Sequence, residues 1–129
     1  MKTTAFSNAE RAIRDYYRHA DAGSTESALA LFAEDVEIRF GNRPPGKGVA
    51  TLVSAAANLA TVCASMRYEV TNTFVDASGL KGASELAMTY VRHDGSEFAV
   101  PAAGIFGFND DGAITKYHVF VDLTGLVAP

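Results

Sequence analysis

The sequence predicts an α+β fold, with three N-terminal helices packed on one side of a curved, mixed or antiparallel sheet. Three observations indicate it: helical spacing of apolar residues up to residue 66, period-two alternation after residue 68, and glycine-containing turns between the alternating segments. A sheet that curves over helices leaves a conical cavity, the usual place for a small-molecule site. With 48% apolar residues, residues 1–129 are expected to form one domain with its own core.

Capping residues predict the first two helices. Ser7 and Glu10 have the spacing of a capping box, so the first helix is expected to begin at Ser7 and to end at Gly23. Ser24 can cap a second helix, whose apolar residues continue to Phe32.

A third helix is predicted from Val49 to about Met66. This uncharged segment has short polar residues on one side and apolar residues on the other, which is typical of an amphipathic core helix rather than a membrane span. Cys63 is expected on its apolar face, where a cysteine behaves as a small hydrophobe.

Alternation predicts the strands. Val36, Ile38 and Phe40 alternate with Glu37 and Arg39, as in a half-buried strand. A loop rich in Pro and Gly follows, and Asp-Gly pairs later in the chain indicate tight hairpins. The remaining strands are predicted over residues 68–76, 81–93, 97–109 and 113–123.

Composition excludes several classes of function. A net charge of −4 and a pI near 5.2 give no basic surface for nucleic acid or for an anionic membrane. The first ten residues lack an apolar signal segment, and a single cysteine fits a reducing compartment, so a cytoplasmic location is expected. No spacing of His, Cys, Asp and Glu predicts a metal site, and no phosphate loop indicates a nucleotide, so no cofactor is expected.

Three segments together resemble a known superfamily. They are IRDYYRHADAG (13–23), LFAEDVEIRFGNRPPGKG (31–48) and SEFAVPAAGIFGFNDDGAITKYHVFVDLTGL (96–126). Their order and gaps are similar to those of the nuclear transport factor 2-like superfamily, in particular the branch of ketosteroid isomerase, limonene epoxide hydrolase and the SnoaL-like polyketide cyclases. The resemblance implies a cone-shaped sheet (a cystatin-like α+β roll) around a pocket for a small hydrophobic molecule.

The resemblance transfers few catalytic residues. Tyr16 matches the tyrosine with which ketosteroid isomerases hold the substrate oxyanion, but the proton-shuttling acid falls at Phe40 and the oxyanion-hole acid at Gly104. The catalytic positions of limonene epoxide hydrolase map to Thr89, Ala87, Val119, Ile38 and Phe40. Apolar side chains cannot abstract a proton or polarise water, so both known chemistries are expected to be absent.

Strand parity and the matched segments predict the pocket. Tyr16 is the candidate catalytic residue; it either orients a substrate oxygen or packs as a core ring. The expected ligand-binding residues are Ile38, Phe40, Thr89, Val100, Ala102, Gly104, Phe106, Tyr117, Val119 and Val121.

His118 and Asp122 share one face of the last strand, where a His and an Asp could act as a general base. The opposite face is the more apolar and the resemblance points it into the cavity, so these two residues are expected on the outer side. Residues that are four apart on a strand are separated by roughly 13 Å along it, which is too far for a direct hydrogen bond. A surface or interface role is therefore favoured over an active site.

The outer face predicts a homodimer. Ile105 and Phe120 have outward parity, and an apolar patch of this kind is seldom left exposed on a monomer. The resemblance implies that the first strand lies beside the last, so Arg39 is expected near His118 and Asp122 on this face and could pair with Asp122. The alternative is that the C-terminal tail, residues 124–129, folds back over Phe120.

Three functions fit these predictions. The first is an isomerase-, cyclase- or hydrolase-type enzyme that acts on a polyketide-, steroid- or terpenoid-like molecule without the usual carboxylates. The second is a binding protein for such a molecule, and the third is a dimeric interaction module of the same fold with a filled core.

Overall fold

The computed structural model describes residues 2–127, with side chains from residue 8 onward, and confirms the α+β prediction. Six strands form a curved mixed sheet that does not close, and helices occupy its concave side. The helices are α1 (Lys2–Asp21), α2 (Thr25–Leu29), α3 (Ala50–Leu59) and α4 (Thr124–Val127). The strands are β1 (Phe32–Phe40), β2 (Gly46–Lys47), β3 (Cys63–Val75), β4 (Lys81–Arg92), β5 (Glu97–Phe108) and β6 (Ile114–Val121).

The strand order is β2-β1-β6-β5-β4-β3, and β1 with β6 is the parallel pair among antiparallel neighbours. This places the first long strand beside the last, as the resemblance implied, with Arg39 opposite His118. The register of β3 on β4 shifts between Val70 and Asn72, and such bulges increase the twist of a long strand. The long strands can therefore curve around the helices.

Helix α1 lies in the concave face of the sheet. Its apolar stripe, including Ile13 and Tyr17, is completely buried there. Polar contacts hold both ends of this stripe: the Asp21 carboxylate accepts a hydrogen bond from the backbone N–H of Tyr68 at 2.8 Å, and Thr73 donates to Glu10 at 3.0 Å. These two contacts fix α1 to β3 on either side of Tyr17 and so help to set the direction of the Tyr17 ring.

The boundaries of the first two helices differ from the prediction. Helix α1 already begins at Lys2, so Ser7 lies within it rather than at its N-cap; the Ser7 side chain lies outside the described residues. Ser24 does occupy the N-cap of α2 but makes no capping hydrogen bond through its side chain. Phe32 belongs to β1, because α2 ends at Leu29 and the chain turns directly into the sheet.

Helix α3 is shorter than predicted. It ends at Leu59, where Thr61 donates its hydroxyl to the carbonyl of Asn58 at 2.7 Å and the chain turns. Cys63 and Met66 lie on β3, so Cys63 is buried in a strand and not on a helix face. None of the residues of α3 is buried, so it covers the sheet loosely and is not a core helix.

The outer face of the sheet carries an exposed apolar band. Phe74, Ala83 and Ile105 are cross-strand neighbours in one row, and Phe120 lies diagonally beside Ile105. The relative exposure of Phe120 is 44%. The outward parity predicted for Ile105 and Phe120 is confirmed.

The C-terminal segment packs elsewhere. Leu126 is buried, and Arg92 donates from Nε to its carbonyl oxygen at 3.0 Å. The Gly125 Cα lies against the ring of Phe98, on the concave side. The alternative to the dimer, in which the tail covers Phe120, is therefore wrong for residues 124–127; residues 128 and 129 lie outside the described part.

Among the helices described here, none combines the length and the apolar character that crossing a bilayer requires.

Candidate functional site

A cavity of about 90 Å³ lies between the concave face of the sheet, α1 and α3. Apolar side chains form most of its wall, and phenol hydroxyls are the side-chain polar groups on it. The sixteen residues that line it are Tyr16, Phe40, Leu52, Ala55, Ala56, Leu59, Met66, Tyr68, Leu86, Met88, Tyr90, Ala102, Tyr117, Val119, Val121 and Leu123.

The cavity continues into an outer groove of about 480 Å³ beside α3 and α4. The cavity and the groove share six lining residues, among them Phe40, Leu59 and Val121, so they lie directly beside each other. Arg43 lines the groove and is the one charged residue among the described residues that do so. A ligand held in the cavity can thus extend outward past α3.

The structure brings six predicted site residues together at the cavity wall: Tyr16, Phe40, Ala102, Tyr117, Val119 and Val121. Each strand residue among them has the parity that the sequence predicted, with Phe40 paired to Val119 across the parallel β1–β6 contact. Whether they bind a ligand stays a proposal.

Four other predicted residues face the concave side without lining the cavity. Ile38 and Phe106 are fully buried and fill the narrow end of the cone behind it. Gly104 lies in the same layer, and Val100 packs against the core nearer the other end of β5.

The prediction for Thr89 is wrong. It alternates with the inward-facing Met88 and Tyr90 on β4, so it lies on the outer face and borders a groove there. Thr89 lies outside the three matched segments, and a mapping that is off by one residue places a strand side chain on the opposite face.

Sequence reasoning missed much of the opposite wall. Leu86, Met88 and Tyr90 face inward from β4, and their strict alternation was a usable signal. The predicted apolar side of α3 supplies Leu52, Ala55 and Leu59 to the wall, although the sequence analysis did not assign them to the pocket.

Burial keeps the tyrosines of the cavity neutral. Removal from water raises the pKa of Tyr68 and of Tyr90 to about 12. The same cause raises the pKa of Tyr16 and of Tyr117 well above the ordinary value of a phenol. These phenols therefore stay protonated near neutral pH and cannot act as bases.

A chain of hydroxyl groups lies beside Gly104. Ser84 and Tyr17 are hydrogen-bonded at 2.9 Å, and Tyr117 donates to the Tyr17 oxygen at 3.2 Å. Both Ser84 and Tyr17 are almost completely buried, and burial raises the pKa of Tyr17 to about 12. The group joins α1, β4 and β6 at the closed end of the cavity.

The acidic and basic candidates lie away from the cavity. His118 is on the outer face, where its Nε2 is 2.7 Å from a carboxylate oxygen of Glu37, a partner that the sequence did not indicate. This hydrogen bond lowers the pKa of Glu37. The surface interpretation of His118 fits this position.

Asp122 accepts a hydrogen bond from the backbone N–H of Thr124 at 3.0 Å. Arg39 donates to the carbonyl of Gly41, so the predicted Arg39–Asp122 pair does not form within one chain. In the described part of the chain, no group of three or more His, Cys, Asp or Glu side chains is placed to hold a metal ion.

This conical α+β architecture around an apolar cavity is the nuclear transport factor 2-like fold, which solved structures share. The family model described as the SnoaL-like domain matches residues 13–117. The chain therefore belongs to the SnoaL-like domain family.

Solved structures share this fold. A proposed polyketide cyclase from Xanthomonas campestris pv. campestris is 20% identical, with 95% of this chain and 96% of that chain covered and a TM-score of 0.82. SalBIII, an epoxide hydrolase/cyclase-like enzyme with a role in pyran ring formation in the polyether salinomycin, is 18% identical, with 96% of each chain covered and a TM-score of 0.80. An epoxide hydrolase from M. tuberculosis that is like limonene epoxide hydrolase is 14% identical, with 92% and 85% covered and a TM-score of 0.75. The comparison with curated proteins found no match.

Proposed function

We propose that this SnoaL-like protein encloses a small, uncharged, hydrophobic molecule of polyketide, steroid or terpenoid type and promotes its isomerisation or cyclisation without a catalytic carboxylate. The observation that carries the proposal is the cavity wall: among the residues that the structure describes, its polar side chains are all tyrosines and none of its side chains is charged. A charged ligand group would lose its hydration there without a counter-charge, which is costly. An apolar ligand that carries neutral oxygen atoms matches the wall.

Tyr16 is the proposed catalytic residue. The centroid of its ring is 5.1 Å from the ring centroid of Tyr117 and 5.2 Å from that of Phe32. These neighbouring aromatic rings fix the direction of the Tyr16 ring in the cavity. A neutral phenol in a dry site can stabilise negative charge that develops on a substrate oxygen. This role needs a phenol that stays protonated, and burial favours the protonated form by raising the pKa of Tyr16.

The reaction class follows from what the wall contains. Cyclisation and isomerisation can be promoted by holding a substrate in a reactive conformation and by stabilising an enolate or alkoxide. Hydrolysis needs a group that activates water, and the wall includes no carboxylate or histidine among the described residues. The names of the structural neighbours, which include cyclases, support the first class by analogy of fold.

A second candidate function is binding without chemistry. The same lack of a base favours it, because proton transfer would then depend on solvent. Two experiments with the neutral ketone 2-tetralone separate the candidates.

The first experiment tests the cavity. We predict that Ala102→Leu weakens binding of 2-tetralone by about 10-fold or more, because the added isopropyl group occupies the space that the ligand needs. Ala99→Leu, on the outer face of the same strand, is the control and is expected to bind normally. Equilibrium dialysis measures both. Equal losses in the two variants, or no binding by the natural protein, would show that the cavity is not the site.

The second experiment tests catalysis by Tyr16. In D₂O, solvent removes an α-proton of bound 2-tetralone, the electron pair forms the enolate, and deuteration at carbon restores the ketone. We predict that the protein accelerates this exchange and that Tyr16→Phe lowers the rate of exchange on the protein by about 5- to 150-fold. This factor corresponds to an increase of roughly 1–3 kcal/mol in the activation free energy. NMR measures deuterium incorporation. Binding of the ketone with no acceleration would decide for the binding protein.

We further propose that the outer apolar band, Phe74, Ala83, Ile105 and Phe120, is buried against a second copy of the chain. The band crosses four strands, and the described C-terminal segment leaves it uncovered. Apolar burial would supply the association energy. If the ketone neither binds nor exchanges, a dimeric interaction module is the function that this surface supports.

Sedimentation equilibrium tests the dimer. The natural chain is expected at twice 13.7 kDa at tens of micromolar, and Phe120→Asp is expected at 13.7 kDa, because the variant places a charge within the band. Val53→Asp changes an equally exposed apolar residue on α3 and should stay dimeric. A monomeric natural chain, or a Phe120→Asp variant that is still dimeric, rules out this interface.

A further inference from the structure

The hydroxyl group of Tyr117 is held in a fixed orientation at the cavity wall. It donates to the Tyr17 oxygen at 3.2 Å, and Tyr17 is in turn bonded to Ser84 at 2.9 Å. Only Tyr117 of these three lines the cavity. Tyr17 and Ser84 therefore stand behind the wall, where they act on Tyr117 rather than on a ligand.

Gly104 makes this arrangement possible. A Cβ atom at this position would lie 2.5 Å from the Tyr17 hydroxyl oxygen, 2.9 Å from Ser84 Oγ and 3.1 Å from Cε1 of Tyr117. Real Cβ atoms do not approach so closely, so any side chain on β5 here would displace the hydroxyl chain. The space in front of Gly104 is thus occupied by the hydroxyl groups of Tyr17 and Ser84 and by the ring of Tyr117, which come from three other elements.

The direction of the hydrogen bonds limits what Tyr117 can offer. A phenol has one proton, and Tyr117 gives it to Tyr17, so its remaining lone pairs can only accept. Tyr16 lies beside it on the wall, with the two ring centroids 5.1 Å apart. One wall therefore presents an acceptor, Tyr117, next to a donor, Tyr16.

We propose that Tyr17 and Ser84 are positioning residues, which hold Tyr117 so that it accepts a hydrogen bond from a ligand hydroxyl while Tyr16 donates to the same oxygen. This inference rests on the proposed function and gives its substrate class: an uncharged apolar molecule with an enol, phenol or alcohol group. A hydroxyl both donates and accepts, so it satisfies both tyrosines, whereas a ketone or ether satisfies only Tyr16. The site would thereby favour the enol over the ketone of one compound.

The test uses two probes of nearly the same shape, 2-naphthol and naphthalene, in equilibrium dialysis. 2-Naphthol carries the hydroxyl of the 2-tetralone enol, and naphthalene lacks it. The natural protein is expected to prefer 2-naphthol by about 3- to 10-fold beyond the difference in partition between water and an alkane. Tyr17→Phe and Ser84→Ala are expected to remove most of this preference while binding naphthalene normally, because neither variant changes the cavity wall.

Two further variants separate positioning from stability. Ser84→Thr retains a hydroxyl and should restore the preference that Ser84→Ala loses. Thr73→Ala removes a different hydrogen bond between α1 and the sheet, outside the cavity, and should keep the preference even if it unfolds at a lower temperature. If Ser84→Ala does not fold, Tyr17→Phe, which keeps the ring, decides alone.

The outcomes distinguish this inference from the proposed function. If the natural protein binds neither probe, the proposed function fails. If it binds both probes without the expected preference, or keeps the preference in Tyr17→Phe and Ser84→Ala, the apolar site stands and the positioning role is wrong. Loss of the preference in Thr73→Ala as well would assign the effect to loosening of α1, which also overturns it.

Discussion

The hydrogen bond between Tyr17 and Ser84 joins the first helix to the middle of the sheet. A buried hydroxyl without a partner costs about 1–3 kcal/mol, so burial of both groups favours one rotation of α1. Tyr16 and Tyr17 are adjacent and point about 100° apart on the helix, so fixing Tyr17 against β4 also directs Tyr16 into the cavity. The position of the candidate catalytic phenol depends on a contact that is not itself in the site.

The same constraint limits the chemistry of the site. The hydroxyl chain needs the space in front of Gly104, and a carboxylate on that residue would displace it. Related isomerases are expected to place an acid at this position, so the chain has neutral hydroxyl groups where the resemblance implies a proton donor. The site can still act through the shape of the cavity, the exclusion of water and hydrogen bonds with phenols that burial keeps neutral. These suit rearrangement of an uncharged molecule better than attack by water.

Local periodicity and resemblance predicted much of this structure from the sequence. Alternation located β4, β5 and β6, and the matched segments placed β1 beside β6 and Tyr16 at the cavity. Prediction failed where two local signals compete: the polar spacing of α3 continues beyond Leu59, while Thr61 and Val62 favour a turn into β3. The prediction for Thr89 failed because an error of one residue in register places a side chain on the opposite face of its strand. The Tyr17–Ser84 contact spans 67 residues of sequence, and no local pattern encodes such a pair.

The tyrosines form a buried, neutral set of hydroxyl groups, and an alkaline titration measures this property. The chain has five tyrosines and no tryptophan, so near-ultraviolet absorbance reports tyrosinate alone. Burial favours the neutral form, so the stability it gives is complete below pH 10 and is lost as the pH rises from 10 toward the folded pKa of about 12 for Tyr17, Tyr68 and Tyr90. Protein unfolded in guanidinium should ionise around pH 10, the ordinary value, whereas the folded protein should show almost no tyrosinate there. Ionisation of one or more tyrosines near pH 10, while circular dichroism shows the fold intact, would contradict the account.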